Sequence, residues 1–174
     1  LPFIPLLPTQ ILLNNFISDL PLMTVATDNV DSQFTQKPKR WNLKLIGRFM
    51  LIFGLISSIF DLSLILPLIF IFQVSPEIFR TAWFIESSIS EIVVTFAIRS
   101  QLPFYKSLPS RFLILSSILA ILLILITTSI VFGQQLFQFE NLPANIWLLI
   151  ILVVICYFTT VEILKRFFFK KFNL

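Results

Sequence analysis

Five apolar runs, each long enough to cross a hydrocarbon core, leave this chain few ways to fold. A membrane-spanning helix needs about 20 consecutive apolar residues, and such runs occupy roughly residues 9–27, 46–72, 79–98, 112–132 and 145–164. Backbone surrounded by lipid must satisfy its own hydrogen bonds, which a helix does within itself. The expected fold is therefore all-α, a polytopic transmembrane helical bundle of five spans forming one domain over residues 1–174. Composition closes off the soluble alternative. Hydrophobic residues make up 57% and charged residues 13% of the chain, and the mean hydropathy is +0.94; soluble domains sit near about 45–50% and about 25%. The largest soluble piece, the loop at about 28–45, is too short to fold by itself.

The basic residues supply an orientation. Cytoplasmic loops carry an excess of Lys and Arg close to the membrane ends. Lys37, Lys39, Arg40, Lys44 and Arg48 lie in or beside loop 28–45, Arg99, Lys106 and Arg111 in segment 99–111, and Lys165, Arg166, Lys170 and Lys171 in the tail, together 12 of the 13 bases. Only Arg80 remains for the other side, where connections 73–78 and 133–144 carry Glu77 and Glu140. The N-terminus is thus expected outside and the C-terminus in the cytoplasm, in the cell membrane. Trp41, Trp83 and Trp147 fall near expected interfaces, where an amphipathic ring is favoured.

Polar residues inside the spans carry the functional question, because an ionised carboxylate at mid-bilayer costs about 2.5–3.5 kcal/mol on insertion scales. In the first span, Asn15, Ser18 and Asp19 are spaced i, i+3, i+4 and so bring an amide, a hydroxyl and a carboxylate to one helical face. Pro21 removes a backbone donor and leaves carbonyls near residues 17 and 18 without their normal partners, so the helix is expected to break there. Oxygen ligands of this kind suit a hard cation such as Mg²⁺, Ca²⁺ or Na⁺; the same residues could instead tie helices together by hydrogen bonds.

In "FIESSISEIVV", Glu91 shares a face with Ser87, while Glu86 lies about 140° round the helix from Glu91. The two acids are not expected to pair; Glu91 is the deeper candidate for the ion path, and Glu86 is expected nearer the outer interface, solvated. Asp61, near the middle of the second span, either hydrogen-bonds across the bundle through Ser57 or Ser58 or keeps its proton. Glu162, followed by Lys165 and Arg166 at i+3 and i+4, reads as an ordinary helix-face pairing. The loop motif "QKPKRWN" fits either anionic headgroups or a cytoplasmic docking partner.

No catalytic or cofactor-binding set is present. The chain has no histidine, a single cysteine at Cys156, and three glycines, Gly47, Gly54 and Gly133, none in a phosphate-cradling loop. No nucleic-acid partner is expected. The chain starts at Leu1 with no basic n-region or small-residue cleavage site, and reads as a fragment.

The stretches "LPTQILLNNFISDLPLMTVATDNVD", "KPKRWNLKLIGRFMLIFGLISSIFD", "FRTAWFIESSISEIVVTFAIRSQLPF" and "VEILKRFFFKKF" resemble the C-terminal membrane region of P-type cation-transporting ATPases, with the greater likeness to the bacterial magnesium-translocating branch. The resemblance implies that the five spans match the sixth to tenth helices of a ten-helix transport domain. It implies that the N-x-x-[ST]-D pattern on Asn15, Ser18 and Asp19 lies in an unwound sixth helix supplying metal ligands, with Glu91 as the acid of the eighth helix. Mg²⁺ would be the transported ion, and Asp28 to Lys44 would contact the phosphorylation domain. ATP would act only through domains outside this chain, since the D-K-T-G and T-G-E-S motifs and the first five helices are absent from it. The expected partners are the lipid bilayer and the remaining helices and cytoplasmic domains of a pump. Two other readings stand beside this one: a non-catalytic scaffold or degenerate pump remnant, and a passive cation channel, for which the spans offer no evident selectivity ring.

Overall fold

A computed structural model of the chain describes residues 2–29 and 43–171. Among the described residues there is no strand, and six helices follow in order: α1 (Pro8–Val25), α2 (Leu43–Phe70), α3 (Pro76–Ile98), α4 (Arg111–Ser129), α5 (Val131–Phe137) and α6 (Ala144–Lys171). Lys37, Lys39, Arg40 and Trp41, and with them most of the "QKPKRWN" motif, lie outside the described residues.

Four helices, α2, α3, α4 and α6, are long and apolar enough to cross a membrane. The fifth expected span corrects to something weaker. Helix α1 forms where expected and has 18 residues, but it does not reach the hydropathy of a span, because Gln10, Asn14, Asn15 and Asp19 dilute its apolar residues. The expected break at Pro21 is also absent: α1 runs on through Pro21 to Val25. The missing proline N–H costs the Ile17 carbonyl one partner without ending the helix.

Helix boundaries follow local chemistry. Ser75 accepts the Ile78 N–H at 3.3 Å and Pro76 occupies the first turn of α3, where its lack of an N–H costs nothing. Ser110 caps α4 by accepting from Leu113 N–H at 3.2 Å. The run read as a single span at 112–132 divides: Ile130 is extended (φ −81°, ψ 144°), and the chain restarts as the seven-residue α5. A close approach fixes one residue there, because a Cβ on Gly133 would overlap the Thr127 carbonyl.

Helix α3 stands at the centre. Its buried positions, among them Phe79, Ala82, Ile85, Glu86, Ser88 and Ile92, lie on nearly every side, and it packs most extensively against α6 while also touching α1, α2 and α4. Helix α1 lies chiefly on α4. Helix α4 buries Leu113, Ser117, Ala120, Ile124 and Thr128, and α6 buries Ile146, Ile150, Val153, Tyr157, Val161, Lys165 and Phe168; both stripes keep the three-and-four spacing of one helix face. Helix α2 is peripheral, burying only Phe53, Leu64 and Leu68. The main core joins Ile17, Leu64, Leu68, Phe79, Ile85, Ile92, Ile124 and Ile150. A second, smaller cluster holds Phe53, Ala97, Tyr157 and Val161.

Candidate functional site

The polar residues of the interior separate into two clusters on opposite sides of α3. The first joins α3 to α1. Ser88, fully buried, has two acceptors within reach of its one hydroxyl proton, Asn14 Oδ1 and the Phe84 carbonyl, the latter at 2.7 Å. Asn14 Nδ2 in turn donates to Glu91 Oε2 at 3.3 Å. Ser18, 3% exposed, donates to the Asn15 carbonyl at 3.3 Å, and its hydroxyl lies within hydrogen-bonding reach of the Glu91 carboxyl. The Asp19 carboxylate is close enough to act on Glu91 through space.

The four expected ligands are therefore split. Ser18 and Glu91 meet across the α1–α3 contact, while Asn15 and Asp19 stand on the open side of α1. That open side is continuous: Ile11, Leu12, Asn15, Phe16, Asp19, Leu22 and Met23 are all exposed and recur at the spacing of one helix face. Sequence reasoning missed Asn14 and Ser88, although the i, i+4 pair Asn14/Ser18 and the i, i+3 pair Ser88/Glu91 are the signals that would have matched the two helices. Among the described residues, no group of three or more His, Cys, Asp or Glu side chains is gathered to hold a metal. What α1 and α3 bring together is a set of polar side chains: one hydroxyl and one carboxyl facing inward, one amide and one carboxyl at the open edge.

The second cluster corrects the expectation for Glu86 and one of the two for Asp61. Glu86 is not solvated at an outer interface; it is 1% exposed and stands about 15 Å along α3 from Pro76 at the helical rise of 1.5 Å per residue. Asp61 finds its partner neither in Ser57 nor in Ser58. Its Oδ1 accepts the Trp83 indole N–H at 3.5 Å, and its carboxyl lies beside that of Glu86. Ser58 donates back to the Gly54 carbonyl at 3.1 Å, while Ser57 engages Tyr157. Glu86 and Glu91 remain unpaired with each other, as expected, because they face different neighbours.

Two buried cations tie the far end of the bundle. Arg99 Nη1 meets Asp28 Oδ2 at 2.6 Å and its Nη2 donates to the Ser107 carbonyl, while Asp28 Oδ1 accepts the Ser110 N–H at 2.7 Å. Burial works to raise the Asp28 carboxyl, but the Ser110 and Arg99 hydrogen bonds outweigh it and hold the group below its ordinary range. Lys165, fully buried, donates to Glu162 Oε1 at 2.7 Å, to the Ala97 carbonyl at 2.6 Å and to the Leu102 carbonyl at 2.9 Å. The Glu162–Lys165 pair is thus no surface pairing but the interior cap of α3. Arg166 takes the outward side, 5.9 Å from the Tyr105 ring centroid.

The chain is 31% identical over 180 residues to "Magnesium-transporting ATPase, P-type 1" of Salmonella typhimurium (strain 14028s / SGSC 2262), covering 99% of this chain and 20% of that protein. It is 30% identical, with the same coverage, to the protein of that name from Escherichia coli (strain K12). The chain therefore spans about a fifth of the length of the curated relatives it matches. With its apolar helices and these transporter relatives, it is a multi-pass membrane chain corresponding to their C-terminal part. The profile described as "Cation transporting ATPase, C-terminus" matches residues 3–167, nearly the whole sequence, and on that match the chain belongs to the cation-transporting ATPase C-terminus family.

Proposed function

We propose that the chain serves as the C-terminal membrane module of an ATP-driven pump that imports Mg²⁺, with Asn15, Ser18, Asp19 and Glu91 contributing oxygen ligands to the transported ion. The observation that carries this reading is the meeting of Ser18 with Glu91 beside an open edge bearing Asn15 and Asp19. A carboxylate facing lipid is costly, so an edge with Asp19 and Asn15 set among Leu12, Phe16 and Met23 calls for further helices to complete it. Those helices, and the domains that bind ATP and become phosphorylated, belong to the remainder of the pump. Phosphorylation there switches the bundle between outward and inward access, and α1 crosses the membrane under the cover of its neighbours. The N-terminus is outside and the C-terminus cytoplasmic: Lys44, Arg48, Arg99, Lys106, Arg111, Lys165, Arg166 and Lys170 all belong to one end of the bundle, and Arg80 to the other.

A chimera tests the reading. This chain replaces the equivalent part of the Salmonella typhimurium relative, and Mg²⁺ uptake is measured in cells lacking their own Mg²⁺ transporters. Uptake should be restored, and Asp19→Asn should abolish it at unchanged membrane level. Full uptake with Asp19→Asn removes the carboxylate from the ion path. A well-inserted chimera that never transports favours the scaffold reading instead.

A further inference from the structure

Asp61 of α2 and Glu86 of α3 meet in the interior, on the side of α3 away from Asn14 and Ser18. Glu86 is 1% exposed, and its Oε2 has no hydrogen-bond partner among the described residues. Its carboxyl lies within hydrogen-bonding reach of Asp61, whose Oδ1 takes the Trp83 N–H. From α6, Tyr157 closes the third side, 4% exposed, with its hydroxyl engaged by Ser57. Neither carboxyl takes part in an ion pair among the described residues. The other acid of α3's interior stretch, Glu91, accepts from Asn14.

Two carboxylates side by side in a low dielectric, without a cation, repel each other and leave both charges uncompensated. One proton between them removes the repulsion, turns the contact into a strong O–H···O⁻ hydrogen bond, and leaves a single charge for the Trp83 N–H to meet. A hard divalent ion fits the place poorly, since it takes about six oxygen ligands, whereas here an indole N–H already points at one of two carboxyls. We propose that Asp61 and Glu86 bind a single proton between them, making the α2–α3–α6 junction a proton site separate from the α1–α3 cluster.

Infrared spectroscopy of the full chain in lipid nanodiscs at neutral pH tests this. The difference between wild type and Glu86→Gln should contain the C=O stretch of one protonated carboxyl. Asp61→Asn should shift that band, because the proton then lacks its carboxylate acceptor. A Glu86→Gln difference spectrum with no protonated-carboxyl band would overturn the proposal. A band unmoved by Asp61→Asn would overturn it as well, since the proton would then belong to Glu86 alone. If either variant fails to fold, a chain that keeps both carboxyls suffices: with Trp41→Phe and Trp147→Phe, emission from Trp83 should step once as the pH rises through loss of the proton. Flat emission from acid to alkaline pH counts against the site.

Discussion

Replacing Lys165 by methionine should be far more damaging than a lysine near the end of a membrane helix would suggest. The side chain is fully buried and makes three hydrogen bonds, to Glu162 Oε1 at 2.7 Å, the Ala97 carbonyl at 2.6 Å and the Leu102 carbonyl at 2.9 Å. Ala97 lies in the last turn of α3, where carbonyls have no helical donor. Lys165→Met keeps the apolar stem but strands the Glu162 carboxylate, 5% exposed; removing one partner of such a pair costs about 3–5 kcal/mol. Adding Glu162→Gln removes the stranded charge, so what remains is chiefly the two carbonyls without a donor that the single variant also leaves, at about 1–3 kcal/mol each. The double variant should therefore be more stable than the single one. Unfolding by SDS titration in mixed micelles, followed by far-UV circular dichroism, measures both, with Arg166→Met as the exposed control. A near-neutral Lys165→Met, or a double variant no better than the single, would refute the reasoning.

The Asp28 link makes stability depend on acid. Its folded carboxyl is held below the ordinary value of 3.8, so its contribution is fully present above that value and is lost as the pH falls through the lower folded one. Asp28→Asn should flatten the acid limb of a plot of unfolding midpoint against pH and leave its slope at neutral pH unchanged. Gly133→Ala should destabilise by about 1–3 kcal/mol, the usual range for forced overpacking, because the new methyl meets the Thr127 carbonyl. Gly54→Ala, with nothing within 4 Å of the added carbon, should be neutral or stabilising by up to about 1 kcal/mol; the same SDS titration compares them.

Hydropathy made the long helices legible because bilayer thickness imposes a length on every span. The observed starts of α2, α3, α4 and α6, Leu43, Pro76, Arg111 and Ala144, fall within a few residues of those expected. The α4–α5 break was not legible, since residues 126–132 are uniformly apolar apart from two threonines and a serine, and only the backbone at Ile130 divides them. The candidate site was half legible. Spacing along one helix put Asn15, Ser18 and Asp19 on a single face and marked Glu91 on another helix, but it says nothing of which neighbour each face meets, so the split of that face and the part of Asn14 and Ser88 went unseen. Glu86 was misplaced for a related reason: a helix buried on nearly every side has no polar face to betray, and an acid there looks the same in sequence as one at the surface. Lys165 looked like one more cytoplasmic base, because its distance from Ala97 in sequence hides their contact.

Arg99 and Lys165 have a history as well as a position. On the orientation proposed above, the Lys and Arg residues at this end of the bundle meet water while the chain is being inserted and hold their flanks of the helices on the cytoplasmic side. Once the bundle closes, these two cations disappear from that surface, leaving Lys44, Arg48, Lys106, Arg111, Arg166 and Lys170 exposed to face headgroups. On the orientation proposed above, the charges that first tell the helices which way to thread are afterwards withdrawn to lock their ends together, so reversing the thread would require dismantling the clasp.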